Sequence, residues 1–101
     1  MISVVASIKV KAEKLEEFVV IFKANVPAVL AEDGCIEYFP AMDEETGMDA
    51  QTKEASVVTV IEKWASVEAL KAHLAAPHMD KYREDVKDMV EDTIIKVLKQ
   101  V

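Results

Sequence analysis

Glycine is scarce in this chain. Gly34 and Gly47 are its only two, so neither a phosphate-cradling P-loop nor a GxGxxG nucleotide turn can be built. Cysteine is limited to Cys35, which excludes an internal disulfide and a cysteine-built zinc site and is read as a buried structural thiol. No serine stands in a GxSxG nucleophile elbow. No apolar run approaches the roughly 18 residues that span a bilayer. Residues 2–10, ISVVASIKV, lack the basic lead and long apolar stretch of a secretory leader, so a cytoplasmic location is expected. Arginine occurs once, as Arg83, and the formal net charge is -7. Such a surface repels nucleic-acid phosphates and anionic lipid head groups, so neither nucleic acid nor membrane is an expected partner.

What is present has the length of one core. Residues 1–101 read as a single domain without repeats or linkers. Ile2, Val4, Ala6, Ile8 and Val10 alternate with other residues at a period of two, which predicts a strand. From Ala12 the period lengthens. Leu15, Phe18, Val19, Phe22, Val26, Val29 and Leu30 recur at helical spacing, with a kink expected at Pro27 and a stop at Asp33-Gly34. Cys35 to Met42 and the β-branched run Ser56 to Trp64 read as strands, joined by the polar loop 43–54. The acidic residues of that loop loosely resemble a calcium loop, but its turn position holds Met48 and strands flank it, so a mobile hairpin tip or lid is the better reading.

Ser66 is placed to cap a helix whose buried stripe is Val67, Leu70 and Leu74. Pro77 opens another, with Met79, Tyr82, Val86, Met89 and Val90 inward, and Thr93 to Val101 returns as a strand. Strand, helix, strand, strand, helix pair, strand is the order of an α+β, ferredoxin-like split βαβ protomer: an antiparallel sheet with helices on one face. The third strand is apolar on both sides, Val58 and Val60 against Val57, Thr59 and Ile61. One helix layer covers one side only, and a second copy in a two-fold homodimer is the economical cover for the other.

Both histidines lie in residues 62–79, EKWASVEALKAHLAAPHM. His73, near the end of its helix, is favoured as imidazolium. His78, in the first turn of the next helix, is favoured as neutral imidazole able to accept a proton. Base and electrostatic partner are the candidate catalytic roles, against the blander reading of packing or surface histidines. A pair five residues apart would point about 140° apart on one continuous helix, which suits a shared metal poorly, so no metal is expected. Trp64 could wall a cavity opened by the proline break, although core tryptophans are commoner. Tyr38, Phe39, Tyr82, Met42 and Met79 could line a slot for a flat ring or could be core, and Arg83 could clamp an anion or pair with Asp80 or Glu84.

Two stretches, EDGCIEYFPAMD at 32–43 and VIEKWASVEALKAHLAAPHMDKY at 60–82, resemble the antibiotic-biosynthesis monooxygenase family. The likeness covers nearly the whole chain, and the E-x-W-x-S, A-H-L and P-H-M spellings bring it nearest the bacterial quinol monooxygenases. The resemblance implies a dimeric α+β barrel of ferredoxin-like protomers that oxidises a quinol or related dihydroxy-aromatic with O₂ and needs no metal, flavin or haem. A deprotonated quinol is itself electron-rich, so the protein has only to supply a base, an apolar slot and exclusion of water. The haem-degrading branch carries an asparagine where this chain reads Ala6-Ser7-Ile8, which counts against haem. An autoinducer-processing isomerase branch shares the Pro-His spelling but needs an anion site, and a non-catalytic dimeric ligand-binding module is the third reading.

Overall fold

The computed structural model covers residues 1–101. It contains β1 (Ile2–Val10), a short 3₁₀ turn (Ala12–Lys14) leading into α1 (Leu15–Leu30), β2 (Cys35–Ala41), β3 (Val57–Trp64), α2 (Val67–Leu74), α3 (Pro77–Val86) and β4 (Val90–Leu98). The four strands form one antiparallel sheet in the order β2-β3-β1-β4. This is the ferredoxin-like arrangement expected from the element order, with the helices on one face. Pro27 lies inside α1, which continues past it to Leu30. The last strand starts and ends earlier than Thr93 to Val101, because Val86 closes α3 and Met89 sits in the turn that feeds β4.

The register explains which residues meet the helices. Val4, Ala6, Ile8 and Val10 on β1 and Val58, Val60, Glu62 and Trp64 on β3 share one face and are buried, packed with Phe18, Phe22 and Val29 from α1. The opposite face carries Val5, Val57, Ile61, Phe39, Ile94 and Leu98, of which Phe39, Ile94 and Leu98 are exposed. Successive strand residues point to opposite sides, so Tyr38 enters the core while Phe39 leaves it.

In α2 the buried residues are Leu70 and His73, while Val67 and Leu74 are exposed. The stripe read from apolar residues alone is therefore corrected. Residues 73 and 74 both continue the stripe from Leu70, and the helix turns the polar one inward because a carboxylate waits there. Ser66 caps α2 as expected, its Oγ accepting from the Ala69 N–H at 3.1 Å. Cys35 is half-buried rather than buried, since it starts the edge strand β2.

Gly34 has φ +83°, and a Cβ placed on it would stand 2.7 Å from the Ala69 Cβ of α2. Gly34→Ala is expected to cost about 1–2 kcal/mol from the left-handed backbone alone, with the close approach adding to it. Thermal unfolding should show a midpoint lower by several degrees; an unchanged midpoint would contradict this packing.

Candidate active site

Between the helices and the sheet lies a cavity of about 460 Å³, within the range of small-molecule sites. Its lining is mostly hydrophobic and draws on all four strands and on α1, α2 and α3. The polar groups reaching it include Glu62, His73, Tyr38 and Tyr82, with Arg83 and Lys87 among the lining of α3 and the turn after it.

An aromatic row forms one wall. Tyr38 stacks on Phe22 with centroids 5.6 Å apart and planes 9° apart, and Tyr82 meets Phe22 edge-on at 5.6 Å. The His73 ring continues the row, 5.5 Å from Tyr38 and 4.6 Å from Trp64. Burial pushes the Tyr38 and Tyr82 phenols well above their ordinary range, so both remain neutral hydroxyls.

Sequence reasoning did not single out Glu62 or Glu32, and both are central. Glu62 occupies the inward phase of β3 between Val60 and Trp64 and lines the cavity. Burial raises its pKa above the ordinary carboxylate value, opposed by the hydrogen bond from Trp64 Nε1 at 2.9 Å and by His73 nearby. Its place in the alternation was a readable signal, a carboxylate on the core-facing phase. Glu32 follows the C-terminus of α1, where nothing in the local pattern marks it. Its Oε2 lies 2.8 Å from His73 Nδ1 and 2.7 Å from His78 Nε2.

His73 is almost wholly enclosed, with 2 % exposure. With Nδ1 engaged by the carboxylate, the imidazole takes the tautomer that leaves Nε2 as an acceptor. Nε2 is left free of the carboxylate, on a ring that lines the cavity. This is the geometry of a general base oriented by a carboxylate.

The other expected site residues divide. Tyr38, Met79 and Tyr82 line the cavity. Phe39 does not, because it stands on the opposite face of the sheet against Ile61. Trp64 lies behind His73, fully buried, rather than at the cavity surface. His78 is outside the cavity lining and borders a separate outer groove with Asn25, Lys81, Tyr82 and Asp85. Arg83 donates to the Leu74 carbonyl and to Asp80 Oδ1, each at 2.8 Å, and Lys87 pairs with Glu84. Met42 is exposed.

One premise against a shared metal is also corrected. It assumed a continuous helix, but α2 ends at Leu74 and α3 begins at Pro77, and the break lets both imidazoles converge. The donor atoms of Glu32, His73 and His78 lie within 4.8 Å of one another. Their 2.7 and 2.8 Å contacts are hydrogen-bond lengths. Ligands about 2.0–2.1 Å from a tetrahedral ion would stand ~3.3 Å apart. The two contacts to Glu32 are thus hydrogen bonds, shorter than the spacing between ligands of such an ion.

Since its pKa is raised in the fold, Glu62 binds its proton more tightly there than in the unfolded chain. Its contribution is most favourable at acid pH and is lost as pH rises through the raised value. Glu62→Gln, which keeps an acceptor for Trp64, should flatten that loss. Urea midpoints measured across the acid-to-neutral range check this; parallel pH dependences in the two proteins would refute it.

The chain matches the family model described as "Antibiotic biosynthesis monooxygenase" over residues 1–85. It is 36% identical over 100 residues to the "Probable quinol monooxygenase YgiN" of Escherichia coli strain K12, covering 97% of this chain and 96% of that protein. Among solved structures, a conserved protein from Methanosarcina mazei Go1 superposes with a TM-score of 0.83 at 26% identity, over 99% of this chain and 92% of its own. PA3566 from Pseudomonas aeruginosa superposes with a TM-score of 0.82 at 20% identity, over 99% and 93%.

Proposed function

The chain belongs to the antibiotic biosynthesis monooxygenase family, and from that premise we propose that it oxidises a quinol or related dihydroxy-aromatic with O₂, without flavin, haem or metal, in the cytoplasm. The observation that carries this reading is His73: one nitrogen is held by Glu32, and the ring lines a mostly apolar cavity of aromatic size. A planar ring enters beside Tyr38, Met79 and Tyr82. Its hydroxyl gives a proton to His73 Nε2, and the resulting quinolate transfers electrons to O₂. One oxygen atom enters the ring, and the other leaves as water with two protons. The ring ends as a hydroxyquinone, so quinol and O₂ balance hydroxyquinone and water. Glu62 lines the same cavity and its pKa is raised by burial, which suits it to return a proton to the reduced oxygen.

The test is turnover of a 1,4-dihydroxynaphthalene under ¹⁸O₂. One labelled atom in the product and no turnover under argon are expected; unlabelled product would sink the monooxygenase reading. The isomerase alternative is weaker because both cations at the cavity are already held, Arg83 by Leu74 and Asp80 and Lys87 by Glu84. Thermal shift separates the readings, since a ligand bound only by the native state raises the midpoint. Quinols should raise it and sugar phosphates should not. Binding without turnover would instead favour a non-catalytic module.

We also propose that the working form is a homodimer whose subunits cover each other's apolar sheet faces, where Phe39, Ile94 and Leu98 are exposed. Light scattering at micromolar concentration should give twice the chain mass, and Ile94→Glu should halve it. No helix is long and apolar enough to cross a membrane.

A further inference from the structure

We infer that His78 acts as a pH-sensitive modulator of His73, the two imidazoles competing for one carboxylate oxygen, Oε2 of Glu32. The inference rests on the reading of His73 as the base. Both contacts are short, 2.8 Å to His73 and 2.7 Å to His78, and both end on the same atom. The histidines face different spaces: His73 lines the enclosed cavity, whereas His78 borders the outer groove. Their side chains are 2% and 29% exposed, and that of Glu32 is 13% exposed. Glu32 therefore joins a group that meets substrate to a group that meets solvent.

One carboxylate stabilises one imidazolium well. A second imidazolium on the same oxygen gains less from the shared negative charge and is repelled by the first. When solvent protonates His78, the Glu32 charge is engaged from outside, and His73 becomes a weaker base. When His78 is neutral, the charge is free to stabilise the imidazolium formed as His73 takes the substrate proton. Other titratable groups around the cluster are Glu62 on β3, and Tyr38 and Cys35 on β2. Burial favours the neutral form of each, though Glu62 and His73 also interact electrostatically; Glu32 is the carboxylate that both histidines contact. On the outer side, Lys81 and Asp85 of α3 pair with each other at 2.8 Å. His78 and Glu32 act on the reaction through His73 and are positioning residues.

The two variants shift the base in opposite directions, which a merely structural role does not predict. His78→Ala leaves Glu32 to His73 alone, so the protonation midpoint of His73 should rise and the acid limb of the turnover profile should move to higher pH. Glu32→Gln removes the charge, so both should move to lower pH. Because the chain has two histidines, ring NMR signals report the midpoints directly and need no turnover. If 1,4-dihydroxynaphthalene is not oxidised by the wild type, the functional reading fails while NMR still decides the coupling. Opposite shifts support it. Unmoved midpoints, shifts of the same sign, or a stoichiometric transition ion in the purified protein would overturn it. His78→Gln, which keeps a polar side chain at this partly exposed position, replaces His78→Ala should that variant fold poorly, with the same upward shift expected.

Discussion

Replacing His73 with alanine is expected to lower turnover of a dihydroxynaphthalene by about 10² to 10⁴, the contribution of a positioned general base. The His73 ring lines the cavity with Nδ1 fixed by Glu32, so the variant loses the acceptor for the substrate proton. The loss should be greatest where the free quinol is un-ionised and should shrink as rising pH ionises the substrate in solution. Anaerobic binding should weaken much less than turnover, since Tyr38, Met79 and Tyr82 still form the slot. A wild-type rate in the folded variant would remove His73 from the chemistry. The same experiment on His78 should give a smaller loss, because His78 lies outside the cavity lining.

The largest stability effect is expected at Trp64. Its ring is wholly buried at the end of β3, and truncating a buried aromatic to alanine costs about 3–5 kcal/mol. The indole N–H also supplies the hydrogen bond to buried Glu62 at 2.9 Å, so Trp64→Ala leaves that carboxyl without its donor. Trp64→Phe separates the two contributions: it retains much of the ring volume and loses the donor, for which about 1–3 kcal/mol is expected. Denaturant unfolding checks both. For a chain of this size, the alanine variant should melt more than ~10 °C lower; a loss below ~1 kcal/mol would contradict the packing around the ring. Trp64 also backs His73 at 4.6 Å, so residual folded alanine variant should bind quinols less well.

The order of elements was legible because periodicity follows burial: two for the strands, near 3.6 for the helices, and Ser66 and Pro77 at helix starts where their chemistry fits. The two-sided apolar β3 was legible for the same reason, as were the family spellings around Trp64, His73 and His78. Period-two alternation also determines that Tyr38 and Phe39 face opposite ways, so that only one of them lines this cavity. Only the tertiary structure decided the centre of the site. Glu32 meets His73 and His78 across 41 and 46 residues of chain, and the His pair meets it because a three-element junction brings α2, α3 and the end of α1 together. Helical period left residues 73 and 74 equivalent in α2; the fold turns His73 inward, where it meets the partly buried Glu32 carboxylate. A local pattern records which side of an element is covered, but which polar groups satisfy each other depends on where the elements cross, and a sequence carries no local signal for that.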